Sequence, residues 1–185
     1  MLSWCTSEVC RNGEVMAKLR AEGKGLWSGG AAGAVPNRVE DLSKLTYAEQ
    51  CLREALRRHS VLPTVTRSAT CDVVVDGVSY AKGTTFMVGV EGAHMDKEYW
   101  PNPEVFDPER FTNFDDVKPF TFLPFIDGPR NCLGQYIALL ESKIILSKLV
   151  HCYDLELKSG GVEKDGFVVP VVPKGGVMVG CRRRN

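Results

Sequence analysis

The sequence predicts an α+β fold, mainly helical, with small β-hairpin sheets. Apolar residues repeat at helical spacing in several segments, most extensively after residue 133. Residues 72–80 place two short β-rich runs around Asp76-Gly77, a strong hairpin signature. With 185 residues, 44% hydrophobic and 25% charged, the chain can build one domain with a real core. Lys+Arg 23 balances Asp+Glu 23, so nothing points to a nucleic-acid partner. Arg182-Arg183-Arg184 reads as a solvated tail. Seven cysteines without framework spacing suit a reducing compartment or a cytosol-facing domain. No apolar run approaches the roughly 18–20 residues that span a bilayer, and Met1-Leu-Ser-Trp-Cys lacks the features of a signal peptide.

Taken in order, residues 1–10 are too short to assign alone, although Leu2, Trp4 and Val9 suit the tail of a helix. Asn12 can cap a helix from about Glu14 to Glu22, with Val15, Met16 and Leu19 on one face and Gly23 as its stop. Residues 23–40 read as a flexible Gly-rich loop. Thr46-Tyr-Ala-Glu49 forms a capping box for a helix to about His59, and Glu54 and Arg57 share one face of it. Such a pair is ordinarily a surface ion pair worth about 0–1 kcal/mol, with Arg53 and Arg58 as competitors for Glu54. After the hairpin, Thr84 to Val90 forms a further strand. Met95-Asp-Lys-Glu98 makes one helical turn, Trp100 to Pro103 is irregular, Pro108-Glu-Arg-Phe111 is a turn, and 112–121 is polar loop. A helix from Leu133 to about His151 carries the stripe Leu133, Ile137, Leu140, Ile144 and Leu149. The tail returns to strands at Asp154–Leu157, Val168–Val172 and Val177–Val179, with a turn over 159–166.

The stretch most loaded with chemistry is Phe122-Leu-Pro-Phe-Ile-Asp-Gly-Pro-Arg-Asn-Cys-Leu-Gly134. Gly128 and Pro129 impose a tight, non-repetitive backbone. Cys132 falls at the mouth of the following helix, where the helix dipole and free N–H groups favour a thiolate, and Arg130 adds a positive charge. The sequence supplies no Gly-Lys-Ser/Thr for a phosphate loop and no C-x-x-C for zinc, and His59, His94 and His151 have no recognisable catalytic context. A structural thiol or an anionic ligand to a metal remains.

The pattern Phe125, Gly128, Arg130, Cys132, Gly134 closely resembles the haem-binding loop of the cytochrome P-450 family. E-x-x-R at Glu54–Arg57, the hairpin, P-E-R-F and the cysteine loop also occur in that family's order, over nearly the whole chain. The resemblance implies a haem-thiolate monooxygenase that inserts one oxygen atom from O2 into a small organic, hydrophobic substrate, with haem b as cofactor and an electron-donating reductase as partner. It implies that Cys132 is the axial iron ligand, that Arg130 and Arg67 contact haem propionates, and that Phe125 shields the sulfur while Gly128 and Gly134 permit its tight turn. Glu54, Arg57 and Arg110 would form the family's structural cluster, and Val61–Thr66 and the turn near Asp165–Phe167 match regions that line the substrate pocket. Ile126 departs from the pattern, where the family has a small residue, often Gly.

The same resemblance makes residues 1–185 a single partial domain, the C-terminal haem-binding region. The oxygen-activating helix would lie upstream of residue 1, so no catalytic residue is assigned. Intact eukaryotic members are typically anchored to the endoplasmic reticulum, and no membrane segment is seen in this sequence. The alternative is a non-catalytic haem-binding remnant or an incomplete gene model, and the isolated chain is expected to bind haem weakly or not at all, without turnover.

Overall fold

The structure, a computed structural model, describes residues 1–27, 39–160, 163–164 and 170–184. The helices are α1 (Leu2–Arg11), α2 (Gly13–Gly23), α3 (Val39–Ser43), α4 (Thr46–Arg58), α5 (Val90–Met95) and α6 (Gln135–Cys152). The strands are β1 (Thr64–Ser68), β2 (Val73–Val75), β3 (Val78–Tyr80), β4 (Thr85–Gly89), β5 (Tyr153–Gly160) and β6 (Val177–Arg183). They pair antiparallel as three separate two-stranded sheets, β1 with β4, β2 with β3, and β5 with β6. The α+β expectation holds.

The core forms where α1, α2, α4 and α6 meet. Cys5 and Val9 of α1, Leu19 of α2, Ala48 and Leu52 of α4, and Leu146 and Val150 of α6 are all buried together. Asn12 caps α2 as expected, its Oδ1 accepting from Val15 N at 3.2 Å. Trp27 is buried and donates from Nε1 to Ser147 Oγ at 2.9 Å, tying the end of α2 to α6. The expected loop over 23–40 lies largely outside the described residues. At its edges, Gly23 ends α2 and α3 begins at Val39.

The cap of α4 differs from the expectation. Thr46 is the first helical residue rather than the cap, and no side chain of the cap residue, Leu45, bonds the helix. Glu22 of α2 supplies the carboxylate instead, accepting from Tyr47 N, from Ala48 N at 2.9 Å and from Thr46 Oγ1 at 3.2 Å. Glu49, the expected partner in a capping box, is drawn to Arg53 at 2.6 Å and Lys143 at 2.9 Å.

The hairpin turns at Asp76 (φ 50°) and Gly77 (φ 79°), both left-handed as an Asp-Gly turn requires. β4 does not extend that hairpin. It pairs with β1, a strand that the sequence reading left unassigned. The turn expected over 95–98 falls one residue later, with Tyr99 N and Trp100 N donating to Asp96 O at 3.2 and 2.9 Å, and a separate short helix, α5, precedes it. Strand β5 runs on through Ser159 and Gly160, where a turn was expected. Residues 165–169 lie outside the described residues, and 170–172 are irregular, with Val171 N donating to Val61 O at 2.8 Å.

On α6 the buried face is Ser142, Leu146, Ser147 and Val150, not the stripe read from the sequence. Leu133 precedes the helix and is 98% exposed, while Ile137 and Leu140 are exposed and Ile144 and Leu149 half-buried. The helix is apolar on two faces, so periodicity alone cannot say which one meets the core.

Candidate functional site

The foundation of the site is an ion pair with no solvent contact. Glu54 and Arg57, one helical step apart on α4, are both fully buried. Arg57 Nε donates to Glu54 Oε2 and Nη2 donates to Oε1, each at 2.8 Å, the parallel fork that guanidinium and carboxylate geometry favours. The remaining donors reach backbone carbonyls: Nη1 to His94 O at 2.9 Å and Nη2 to Pro103 O at 2.6 Å. The expectation of a surface pair is therefore corrected. Arg53 and Arg58 do not compete either, since Arg53 pairs with Glu49 and Arg58 with Glu8. Burial raises the Glu54 carboxyl above its ordinary range, and the Arg57 fork and the Asp107 N–H pull it back.

Arg110 joins this pair from the Pro108–Phe111 3-10 helix. Its Nε lies 3.4 Å from Glu54 Oε1, and its Nη2 donates to Asn102 O at 3.0 Å. Asp107 N donates to Glu54 Oε1 at 3.0 Å, fixing the start of the same turn. Trp100, Phe111 and Phe122 then pack together, with Phe111 and Phe122 centroids 4.8 Å apart, and Trp100 Nε1 donates to Thr121 O at 3.2 Å. These contacts fix where the cysteine loop begins.

Within the loop, Ile126 N donates to Leu123 O at 3.1 Å, Cys132 N to Phe125 O at 2.9 Å and Asn131 N to Gly128 O at 3.1 Å. Gly128 has φ 81°, a conformation L side chains rarely adopt. Gly134, expected to serve the turn in the same way, has an ordinary φ of −88° and caps α6. Apart from its chain neighbours, no atom lies within 4 Å of where its Cβ would be. Its backbone therefore does not require a glycine, and the space where a side chain would stand is open.

Cys132 is exposed, not sealed in aliphatic packing. Arg130 is exposed and makes no ion pair among the described residues. Arg67 sits on β1, exposed, with Nη1 donating to its neighbour Thr66 O at 2.8 Å, and no hydrogen bond brings it to the loop. Phe125 is half-buried and lines a cavity of about 390 Å³ with Arg53, Phe114, Phe122 and Ile126. Ile126 has φ 61°, left-handed, the position at which the family pattern has a small residue.

A profile described as Cytochrome P450 matches residues 1–175. The chain belongs to the cytochrome P450 family. It is 37% identical over 192 residues to Cytochrome P450 4d8 of Drosophila melanogaster, an alignment covering 100% of this chain and 40% of that protein. It is 36% identical over 151 residues to Leukotriene-B4 omega-hydroxylase 3 of Mus musculus, covering 79% of this chain and 28% of that protein. Against Cytochrome P450 4F3 of Homo sapiens it is 37% identical over 150 residues, covering 78% of this chain and 28% of that protein. The chain thus spans two fifths or less of the length of these relatives. The family consists of haem-thiolate monooxygenases that use O2, organic substrates and redox partners.

The loop fits the family's cofactor. One exposed sulfur lies two residues before the glycine that caps α6, and close by in the chain Leu133, Ile137 and Leu140 are exposed, as is Arg130, which makes no ion pair among the described residues. A flat apolar group with carboxylate edges and a metal centre asks for that combination. No helix among the described residues is long and apolar enough to cross a membrane.

His94, which has no recognisable catalytic context in the sequence, holds a structural place in the fold. It is fully buried, and its ring nitrogens meet Ser60 Oγ at 2.8 Å and Leu123 N at 2.7 Å. Burial, with the Arg57 charge as a lesser cause, lowers its pKa to about 4. Its one sequence signal is a polar residue set among Val90, Gly92 and Ala93.

Proposed function

We propose that residues 1–185 are the haem-binding C-terminal region, a single partial domain, of a haem-thiolate monooxygenase. Its cofactor is haem b, bound through Cys132 Sγ. The observation that carries this reading is the exposed thiol at the mouth of α6, in a loop braced by a buried ion pair, in a chain of this family.

The chain's own residues divide the work. Cys132 binds as the anion, from a position two residues before Gly134, which caps the N-terminal end of α6. Arg130 and Arg67 are the partners for the cofactor's carboxylates, a role to which guanidinium is suited. Glu54, Arg57 and Arg110 hold the chain that precedes the loop. Gly134 presents no side chain at the start of α6, and Phe125, whose carbonyl accepts from Cys132 N, shields the sulfur. When bound, the haem supplies the oxygen chemistry: one atom of O2 enters a small organic, hydrophobic substrate, and a reductase supplies electrons.

The Mus musculus relative is named as an omega-hydroxylase of leukotriene B4. That supports a hydroxylation of an apolar chain as the reaction class of the longer enzyme. The experiment is a spectrum of the hemin-loaded chain, reduced and exposed to carbon monoxide. Thiolate ligation gives a red-shifted Soret band that disappears in Cys132→Ala. A band of unchanged position and intensity in that variant would sink the assignment.

A further inference from the structure

We propose that His94 is a positioning residue for the cysteine loop, a rigid hydrogen-bond acceptor that links the buried Glu54–Arg57 pair to the backbone of Cys132. The consequence at the sulfur rests on the haem-thiolate reading above. The hydrogen-bond relay does not.

The argument begins with protons. Leu123 N is a backbone amide and can only donate, so His94 Nε2, 2.7 Å away, must accept and carries no hydrogen. A neutral imidazole with a bare Nε2 holds its proton on Nδ1. That N–H donates to Ser60 Oγ at 2.8 Å. Ser60 lies just beyond α4 and is itself buried, so it fixes both the tautomer and the ring plane. The backbone of His94 is held separately, because its carbonyl accepts from Arg57 Nη1 at 2.9 Å. The ring also packs on Phe122, with centroids 5.4 Å apart. The imidazole is thus anchored at Nδ1, at its backbone and on one face, and the anchored ring presents a single lone pair to the loop.

What that lone pair holds is the first link of a short relay. Leu123 N is bound to His94, Leu123 O accepts from Ile126 N at 3.1 Å, and Phe125 O accepts from Cys132 N at 2.9 Å. Pro124, between the first two, has no N–H to offer an alternative. Loss of the His94 acceptor strands a part-buried amide and frees the loop to open locally. The buried ion pair organises α4 and the segment 94–107, and the sulfur lies 25 residues after that segment ends. His94 carries the register across this gap.

The test compares the full chain with His94→Phe, which keeps the ring packing and removes the acceptor, and with His94→Gln, whose carboxamide oxygen can replace Nε2. Amide hydrogen exchange at Leu123 and Cys132 is expected to quicken about tenfold in His94→Phe, the equivalent of one lost hydrogen bond. Amides of α2, such as Leu19, are expected to stay unchanged. His94→Gln is expected to restore protection at Leu123. With hemin bound, His94→Phe is expected to lose intensity in the red-shifted carbon monoxide band, and His94→Gln to regain it. Should His94→Phe fail to fold, Ser60→Ala replaces it. Without the acceptor for Nδ1–H the tautomer is no longer fixed, and Leu123 exchange is expected to rise severalfold. Leu123 exchange within about twofold of the unsubstituted chain in His94→Phe, or in Ser60→Ala where His94→Phe does not fold, overturns the proposal, as does a folded His94→Gln that leaves Leu123 unprotected. If the unsubstituted chain shows no thiolate band at all, the functional reading falls while the exchange arm still decides the role of His94.

Discussion

Ile126 takes a left-handed backbone with φ 61° although it is β-branched, a conformation that costs an L-residue about 1–2 kcal/mol. The loop tolerates it because Ile126 N donates to Leu123 O and the half-buried side chain lines the cavity behind the loop. The departure was visible in the sequence, but its physical meaning needed the dihedral angle. His94 shows the reverse. Nothing in the sequence gave its role, yet its environment dictates a pH response. Burial, aided by the Arg57 charge, holds its pKa near 4 against an ordinary 6.5. The unfolded chain therefore takes up this proton first as pH falls, so stability drops between pH 6.5 and about 4 and changes no further from this group below that. The full depression corresponds to about 3 kcal/mol. Urea unfolding from pH 7.5 to pH 4 is expected to show this slope, and His94→Gln to lose it while keeping the contributions of His59 and His151, whose pKa values burial also lowers. A variant with the same slope as the unsubstituted chain would show that His94 titrates normally.

At the scale of elements, legibility followed range. The β2–β3 hairpin was readable because Asp76-Gly77 carries its turn in two adjacent residues. The β1–β4 pair was not, since Thr64 meets Gly89 across an intervening hairpin and no local signal encodes that register. The same contrast governs α4. A capping box at Thr46–Glu49 satisfies every local rule, yet Glu22 from α2 takes the cap and Glu49 turns to Arg53 and Lys143. A tertiary carboxylate that meets two orphan amides outcompetes a local hydroxyl, and its charge also suits the helix N-terminus. Glu22→Ala is expected to destabilise the chain by about 1–2 kcal/mol, while Thr46→Ala costs only a few tenths. Chemical denaturation of both variants checks the order, and equal losses would restore the local cap. The cysteine loop itself was legible for a physical reason: its glycine, proline and cysteine positions are set by backbone geometry and ligand chemistry within thirteen residues. Its brace was only half legible. Glu54, Arg57 and Arg110 could be named, but the sequence could not say that the first two are sealed from water, nor that His94 stands between them and the loop.

Over the whole molecule, exposed apolar side chains occur on several elements, and the two most exposed among the described residues, Leu133 and Tyr136, follow Cys132 closely in the chain. Leu133 is 98% exposed, Tyr136 78% and Ile137 63%, on the first turns of α6 and the residues leading into it. With a formal net charge of zero, little electrostatic repulsion opposes association through such surface. A ligand that binds Cys132 and lies against these side chains favours the folded state by mass action, by about 2.7 kcal/mol at one hundred times its dissociation constant. Hemin is therefore expected to raise the denaturation midpoint and to reduce binding of an apolar-surface dye. Because Cys132 is exposed, Cys132→Ser should leave the stability of the hemin-free chain within about 0.5 kcal/mol. The same variant is expected to lose most of the hemin-dependent stabilisation, since only the sulfur distinguishes anchored cofactor from a flat molecule adsorbed on apolar side chains. Equal stabilisation of the two chains by hemin would mean adsorption without ligation, and the apolar surface beside α6 would then have to be explained without the iron.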